Sequence, residues 1–156
     1  MAYPFEGYWK DVGTLESLWE ANMELLGTPP VFDIHDREWR IFSRITPRPP
    51  HYIAKGGVVR DSLITEGCEI YGTVERCVLS PGVIVEKDAV IRDSVIMSDT
   101  RIMAGAEVDF TICDSGAVIG RNCRIGSPEK IGPVTVIRER DCIPDGSVIS
   151  TNEEGV

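Results

Sequence analysis

From residue 58 onward, aliphatic residues recur every six positions. Val58, Ile64 and Ile70 open the series, and Val78, Ile84, Val90, Ile96, Ile102 and Val108 continue it after a two-residue slip. Ile119, Ile125, Ile131, Ile137, Ile143 and Ile149 complete it after a second slip. Four positions after many of these stands a small residue: Cys68, Gly82, Ser94, Thr100, Ala106, Cys123, Thr135 or Ser147. A period of six matches neither the 3.6 of a helix nor the 2 of a strand, so it excludes an amphipathic helix and a simple hairpin array. It fits a coil in which each hexad is one short strand plus a corner, three hexads close a triangle, and the aliphatic side chain points inward beside the small one. Gly72, Pro81, Gly82, Gly120, Asn122, Gly126, Gly132, Pro144, Asp145 and Gly146 supply corners. The expected fold class is β, a single-stranded parallel β-helix of hexapeptide repeats over 58–150, with 18 residues per coil and roughly five coils.

The residues before the repeat obey different rules. Nine of the eleven aromatic residues precede residue 57, and only Tyr71 and Phe110 follow it, as a narrow coil interior requires. Residues 27–57 contain Pro29, Pro30, Pro47, Pro49 and Pro50, which block regular helix and confine any strand to an edge. This span reads as an ordered connector anchored by Phe32, Trp39, Ile41 and Phe42. Ahead of it, Leu15, Leu18, Trp19, Met23 and Leu26 line one helical face. Thr14 is the expected N-cap, Glu16 suits the positive end of the helix dipole, and Gly27 with Pro29 stops the helix. This helix, within residues 1–26, has little of its own domain to pack on, so that segment is expected to be poorly anchored. Residues 151–156 form a polar tail.

Composition narrows the function classes. The net charge of −9, from 25 acidic and 16 basic residues, disfavours nucleic acid as a partner, because phosphate-backbone binders carry a basic face. No apolar run approaches the ~20 residues of a membrane span and the start is no secretory signal, so no membrane partner and a cytoplasmic location are expected. Cys68, Cys77, Cys113, Cys123 and Cys142 lack metal-ligand spacing and read as reduced, small, buried residues.

A hexapeptide coil hosts many chemistries. Acyltransferases built on it use a histidine from a coil loop, whereas His35 and His51 both precede the repeat. A zinc hydratase would need three histidines, and two are present. Gly67 to Gly72 imitates a phosphate loop but lacks the lysine that should follow, so it reads as a corner. The run Tyr8-Trp9-Lys10-Asp11-Val12-Gly13-Thr14 admits two readings. One is a strand end, a turn and a capped helix; the other is a carboxylate that holds Mg2+ against a phosphate while a ring packs on a sugar.

The run from Tyr8 to Leu26, then Asp33 to Ile41, then Pro49-Pro50 and the hexapeptide coil, resembles the carboxyl-terminal part of bacterial glucose-1-phosphate adenylyltransferase, also called ADP-glucose pyrophosphorylase. The resemblance covers nearly the whole chain. It implies a left-handed β-helix, a parent enzyme that forms ADP-glucose and pyrophosphate from ATP and glucose 1-phosphate for glycogen synthesis, Mg2+ as cofactor, and a homotetramer. Trp9 then matches the tryptophan lining the glucose-1-phosphate site, and Asp11 one of two aspartates that bind catalytic Mg2+. Lys10 stands where the family has Lys or Arg. The nucleotide loop, the first metal aspartate and the substrate lysine of the family would precede Met1, so the segment alone is expected to be inactive, with residues 1–26 ending a nucleotidyltransferase domain and the β-helix serving oligomerisation and regulation. A stand-alone hexapeptide acyltransferase and a non-catalytic regulatory β-helix subunit are the competing readings. Arg121 and Arg124, two and five places after Ile119, are expected to point outward, either toward an anionic effector or as part of a solvated, charge-balanced face.

Overall fold

The computed structural model describes residues 4–38, 41 and 47–150. Trp39, Phe42 and the tail 151–156 lie outside the described residues. Seventeen short strands wind into three parallel sheets. The first sheet stacks β1 (Tyr52–Ile53), β4 (Glu69–Ile70), β7 (Ile84–Val85), β10 (Arg101–Ile102), β13 (Val118–Ile119) and β16 (Cys142–Ile143). The second stacks β2 (Val58–Arg60), β5 (Thr73–Glu75), β8 (Val90–Arg92), β11 (Glu107–Asp109), β14 (Arg124–Gly126) and β17 (Val148–Ile149). The third stacks β3 (Leu63–Ile64), β6 (Val78–Leu79), β9 (Val95–Ile96), β12 (Thr111–Cys113) and β15 (Thr135–Ile137). The expected parallel solenoid is what forms. It starts at β1, inside the span 27–57 expected as connector.

The coil is shorter than the expected 18 residues. Val90 pairs with Glu107 and Glu107 with Arg124, a step of 17 residues. Successive inward residues Ile102, Val108, Cys113 and Ile119 are fully buried and lie six, five and six apart. The five-residue side turns through a left-handed residue at Asp61, Arg76, Asp93 and Phe110, with φ of 44°, 52°, 46° and 48°. One residue fewer per coil corrects part of the sequence register. Leu79, Val85 and Ile91 are the buried residues where Val78, Ile84 and Val90 were expected, because a one-residue slip in a strand exchanges its faces. Val59 likewise packs on the core in place of Val58. Ile131 is 69% exposed, since the last coil takes 24 residues between Arg124 and Val148 and extrudes the stretch around it as a loop.

The small residue after each tight corner has a second duty. The Ser62, Ser94 and Thr111 hydroxyls and the Cys77 thiol donate to the carbonyl two residues back, at 2.7, 2.6, 2.8 and 3.1 Å respectively. The hydroxyls of Ser62 and Ser94 also accept from the backbone N–H of Cys77 and Thr111 on the next coil, at 3.0 and 3.1 Å. A polar column thus ties the coils together inside a dry corner. Four cysteines are buried as expected, but Cys142, on the outward side of β16, is exposed.

Helix α1 (Leu15–Met23) and the 3-10 turn Glu24–Leu26 precede the coils. Thr14 caps α1, its hydroxyl accepting from the Ser17 N–H at 3.1 Å while Ser17 Oγ accepts from the Thr14 N–H at 3.0 Å. The expectation of a poorly anchored helix is corrected by what α1 meets. Leu18, Trp19 and Met23 pack on Val95, Ile112 and Val134, the outward side of the third sheet. Trp19 meets Phe110 edge-on at 4.9 Å and 83°, and its Nε1 donates to the Asp93 carbonyl at 2.7 Å. Phe110 escapes the aromatic exclusion because it sits at a corner and faces the helix.

Two charged contacts complete this attachment. Lys130, on the extruded loop, lies 2.7 Å from Asp93 and 5.9 Å over the Trp19 ring, while Arg76 Nε holds the same carboxylate at 2.7 Å. In the connector, Phe32 stacks at 5.7 Å on Tyr8, but Ile41 is 60% exposed and anchors nothing. The connector is fastened instead by Arg48, whose guanidinium grips Asp99 through Nη1 at 2.7 Å and Nη2 at 2.8 Å. Its side chain crosses the Gly67 and Gly82 corners, where a Cβ would collide with it.

Candidate functional site

The candidate residues lie in the irregular segment just ahead of α1. Glu20 and Glu24 stand four apart and present their carboxylates on one side of the helical stretch. Tyr8 OH donates to Glu24 Oε2 at 2.6 Å, and Lys10 Nζ donates to Glu24 Oε1 at 2.7 Å and to Glu20 Oε2 at 3.0 Å. The hydrogen bond to Glu24, then that to Glu20, raises the Lys10 pKa. The bond from Lys10, then that from Tyr8, holds Glu24 below the usual carboxylate range. Trp9 and Asp11 make none of these contacts. Trp9 is 76% exposed and Asp11 is also exposed. The structure therefore brings the two predicted site residues into one short exposed segment. The contacts that fasten that segment, made by Tyr8, Glu20 and Glu24, were missed by sequence reasoning. A carboxylate pair four apart, within reach of a preceding lysine, was the available signal.

Mg2+ takes six oxygen ligands, several of them from water or substrate phosphate. Among the described residues no group of three His, Cys, Asp or Glu side chains lies close enough to hold a metal ion. One exposed carboxylate does not make a Mg2+ site, so the chain by itself does not fit that cofactor. His35 and His51 are both exposed and lie outside the coils, which sets them apart from a histidine on a coil loop. Gly67 is a corner residue at φ 72° and Gly72 abuts the Ala89 carbonyl, so the phosphate-loop look-alike is solenoid corner, as expected.

Arg121 and Arg124 are exposed and point outward, as expected. Arg124 stands beside Glu107 in the strand register, and the Arg121 N–H donates to Asp145 Oδ1 at 2.7 Å. Arg124 also lines, with Glu107, Asp109 and Val148, a shallow cavity of about 310 Å³. Both arginines thus stand among acids. Burial of the Cys77 and Cys113 thiols pushes their pKa up to about 12, so neither is a nucleophile at neutral pH. No helix among the described residues is long and apolar enough to cross a membrane.

Comparison with known proteins matches this architecture. A glucose-1-phosphate adenylyltransferase of Desulforamulus reducens is 44% identical over 95% of this chain and 38% of its own length. Proteins of the same name from Acetivibrio thermocellus and Clostridium beijerinckii are 39% and 42% identical, over 97% and 98% of this chain and 38% and 39% of their own lengths. The chain is homologous to the carboxyl-terminal region of those enzymes and spans less than two fifths of their length. The family model described as GlmU-like, C-terminal hexapeptide matches residues 51–132, which are the coils from the start of β1 through β14 and most of the loop after it. With the parallel three-sided solenoid and its stacked corners on the same residues, the chain belongs to the GlmU-like C-terminal hexapeptide family.

Proposed function

We propose that this chain is the carboxyl-terminal part of an adenylyltransferase that makes ADP-glucose and pyrophosphate from ATP and glucose 1-phosphate. The observation that carries this reading is the extent of the similarity. Identity of 39–44% runs over 95% or more of the chain, so it takes in the Trp9–Asp11 segment and α1 as well as the coils, which a shared solenoid alone would not require. In the proposed reaction an oxygen of the sugar phosphate attacks the α-phosphorus of ATP, and the bond to the leaving pyrophosphate breaks. Trp9 offers an exposed ring face to the sugar, and Asp11 offers one carboxylate toward Mg2+, whose other protein ligand comes from outside this chain. The two-residue spacing and shared exposure of Trp9 and Asp11 support that division of labour.

Since in-line transfer needs the phosphates, metal and attacking oxygen held together, the chain alone is expected to be inactive. A pyrophosphate-release assay on the purified 156-residue chain with ATP, Mg2+ and glucose 1-phosphate should read background; turnover proportional to chain concentration would overturn this. The same preparation should show no saturable acyl-CoA binding, and a saturable isotherm would favour an acyltransferase. In this reading the β-helix contributes to a homotetramer and to regulation in the cytoplasm. Exposed apolar residues on the last coil, Val136 on β15 and Val148 on β17, support an assembly role. Light scattering should give an oligomer, and a strict monomer at high protein concentration would refute assembly through this part.

A further inference from the structure

The contacts of the site segment all lie on one side. Both oxygens of Glu24 are engaged, one by Tyr8 and one by Lys10, so a single carboxylate grips residues two apart. In an extended chain residues two apart share a face and the residues between take the other. Tyr8 and Lys10 therefore face the helical stretch, while Trp9 and Asp11 face away from it. The other side of α1 is bound through Trp19 and Met23 to the third sheet, and its position relative to the coils is fixed by Asp93, Lys130 and Phe110. Helix α1 is thus a two-faced spacer, with the solenoid on one side and the site segment on the other.

Lys10 is the informative residue. A lysine two places from a sugar-lining tryptophan and next to a metal carboxylate invites assignment as a phosphate contact. Its surroundings argue against that. The Lys10 side chain is only 19% exposed and its ammonium lies within 3.0 Å of two carboxylates, so a phosphate approaching it would meet two negative charges. From this geometry we infer that Lys10 and Glu24 are positioning residues: their ion pair locks Trp9 and Asp11 outward on one face and ties that face to the β-helix through α1. The inference rests on the adenylyltransferase reading above for what Trp9 and Asp11 do, whereas the brace itself stands on the contacts of this chain.

The experiment has two arms. In the 156-residue chain, Glu24→Gln and Lys10→Met should each speed amide hydrogen exchange at residues 8–13 about tenfold or more while exchange in the coils stays as in the parent chain; unchanged exchange at 8–13 would overturn the brace. In an enzyme carrying this chain as its carboxyl-terminal part, each single change should raise KM for glucose 1-phosphate and lower kcat by about tenfold to a hundredfold, as a misplaced catalytic segment does. The double variant should be no worse than either single one, and Lys10→Arg should recover most of the loss. A phosphate contact predicts otherwise: Lys10→Met would be damaging while Glu24→Gln left KM unchanged, and that result would overturn the inference. If Trp9→Ala and Asp11→Asn both leave turnover intact, the adenylyltransferase role of the segment fails, whatever the exchange data say about the brace.

Discussion

Thr135 holds the corner position that Ser62, Cys77, Ser94 and Thr111 occupy on earlier coils, yet its buried hydroxyl has no hydrogen-bond partner. In the earlier coils the acceptor is the carbonyl two residues back, and here the chain reaches the corner from the extruded loop, which carries that carbonyl elsewhere. Thr135→Val keeps the shape and removes an unsatisfied buried group, so it should raise stability by about 1 kcal/mol, read as a higher midpoint in urea; a lower midpoint would show that the hydroxyl has a partner in solution. Gly126 and Gly146 both adopt left-handed backbone, with φ of 84° and 74°. A Cβ at Gly126 would strike the Asp109 carbonyl of the neighbouring strand, whereas at Gly146 nothing lies within 4 Å. Gly126→Ala should therefore cost on the order of 3 kcal/mol and Gly146→Ala about 1 kcal/mol, and equal costs would contradict the stacking of that corner. Thiol titration should find one of the five cysteines reactive in the native chain, Cys142, and all five after unfolding. More than one fast thiol before unfolding would mean the coils open.

At the scale of elements, the attachment of α1 depends on a carboxylate whose charge can be titrated. Burial pushes the Asp93 carboxyl up, but hydrogen bonds and charge from Lys130 and Arg76 outweigh it and leave its pKa below the ordinary value. A depressed folded-state pKa contributes stability that is complete above the unfolded value, about 3.9, and is lost as pH falls through the folded value below it. Lys130→Met should therefore lower the melting temperature at pH 7, and the gap from the parent chain should narrow as pH falls below about 4. A gap that stays constant with pH would assign the loss to packing on Trp19. The helix itself was legible in the sequence, because Thr14, the apolar stripe and Pro29 are local signals. Its docking was not, because the receiving surface is assembled from Val95, Ile112 and Val134, which are scattered in sequence and adjacent only after the coils stack. The register was legible only in part for a related reason: a five-residue side has no signature in aliphatic spacing when both Val78 and Leu79, or both Val90 and Ile91, are apolar. Left-handed Asp93 and Asp61 marked the corner, yet Arg76 and Phe110 hold the same position without a composition that announces it.

For the whole molecule, the solenoid was legible because a six-residue period has few physical solutions, while the site was legible only through resemblance. Trp9 and Asp11 stand in a seven-residue run that a turn and a capped helix would equally produce, and the brace that orders them needs Glu20 and Glu24, a full helix away in sequence. The molecule that results is a stack of coils with a helix strapped along one side, and that helix holds the site segment out to solvent. Its central claim is that the segment completes a catalytic centre whose remainder lies elsewhere in the enzyme. The most direct test joins this chain in frame to the preceding part of the Desulforamulus reducens relative, in place of the matching region, and measures ADP-glucose formation from ATP and glucose 1-phosphate. We expect turnover within about tenfold of the relative's own, reduced at least about a hundredfold by Asp11→Asn, as loss of a metal ligand in phosphoryl transfer requires. A folded, oligomeric hybrid that makes no ADP-glucose, or one whose turnover is indifferent to Asp11→Asn, would contradict the account.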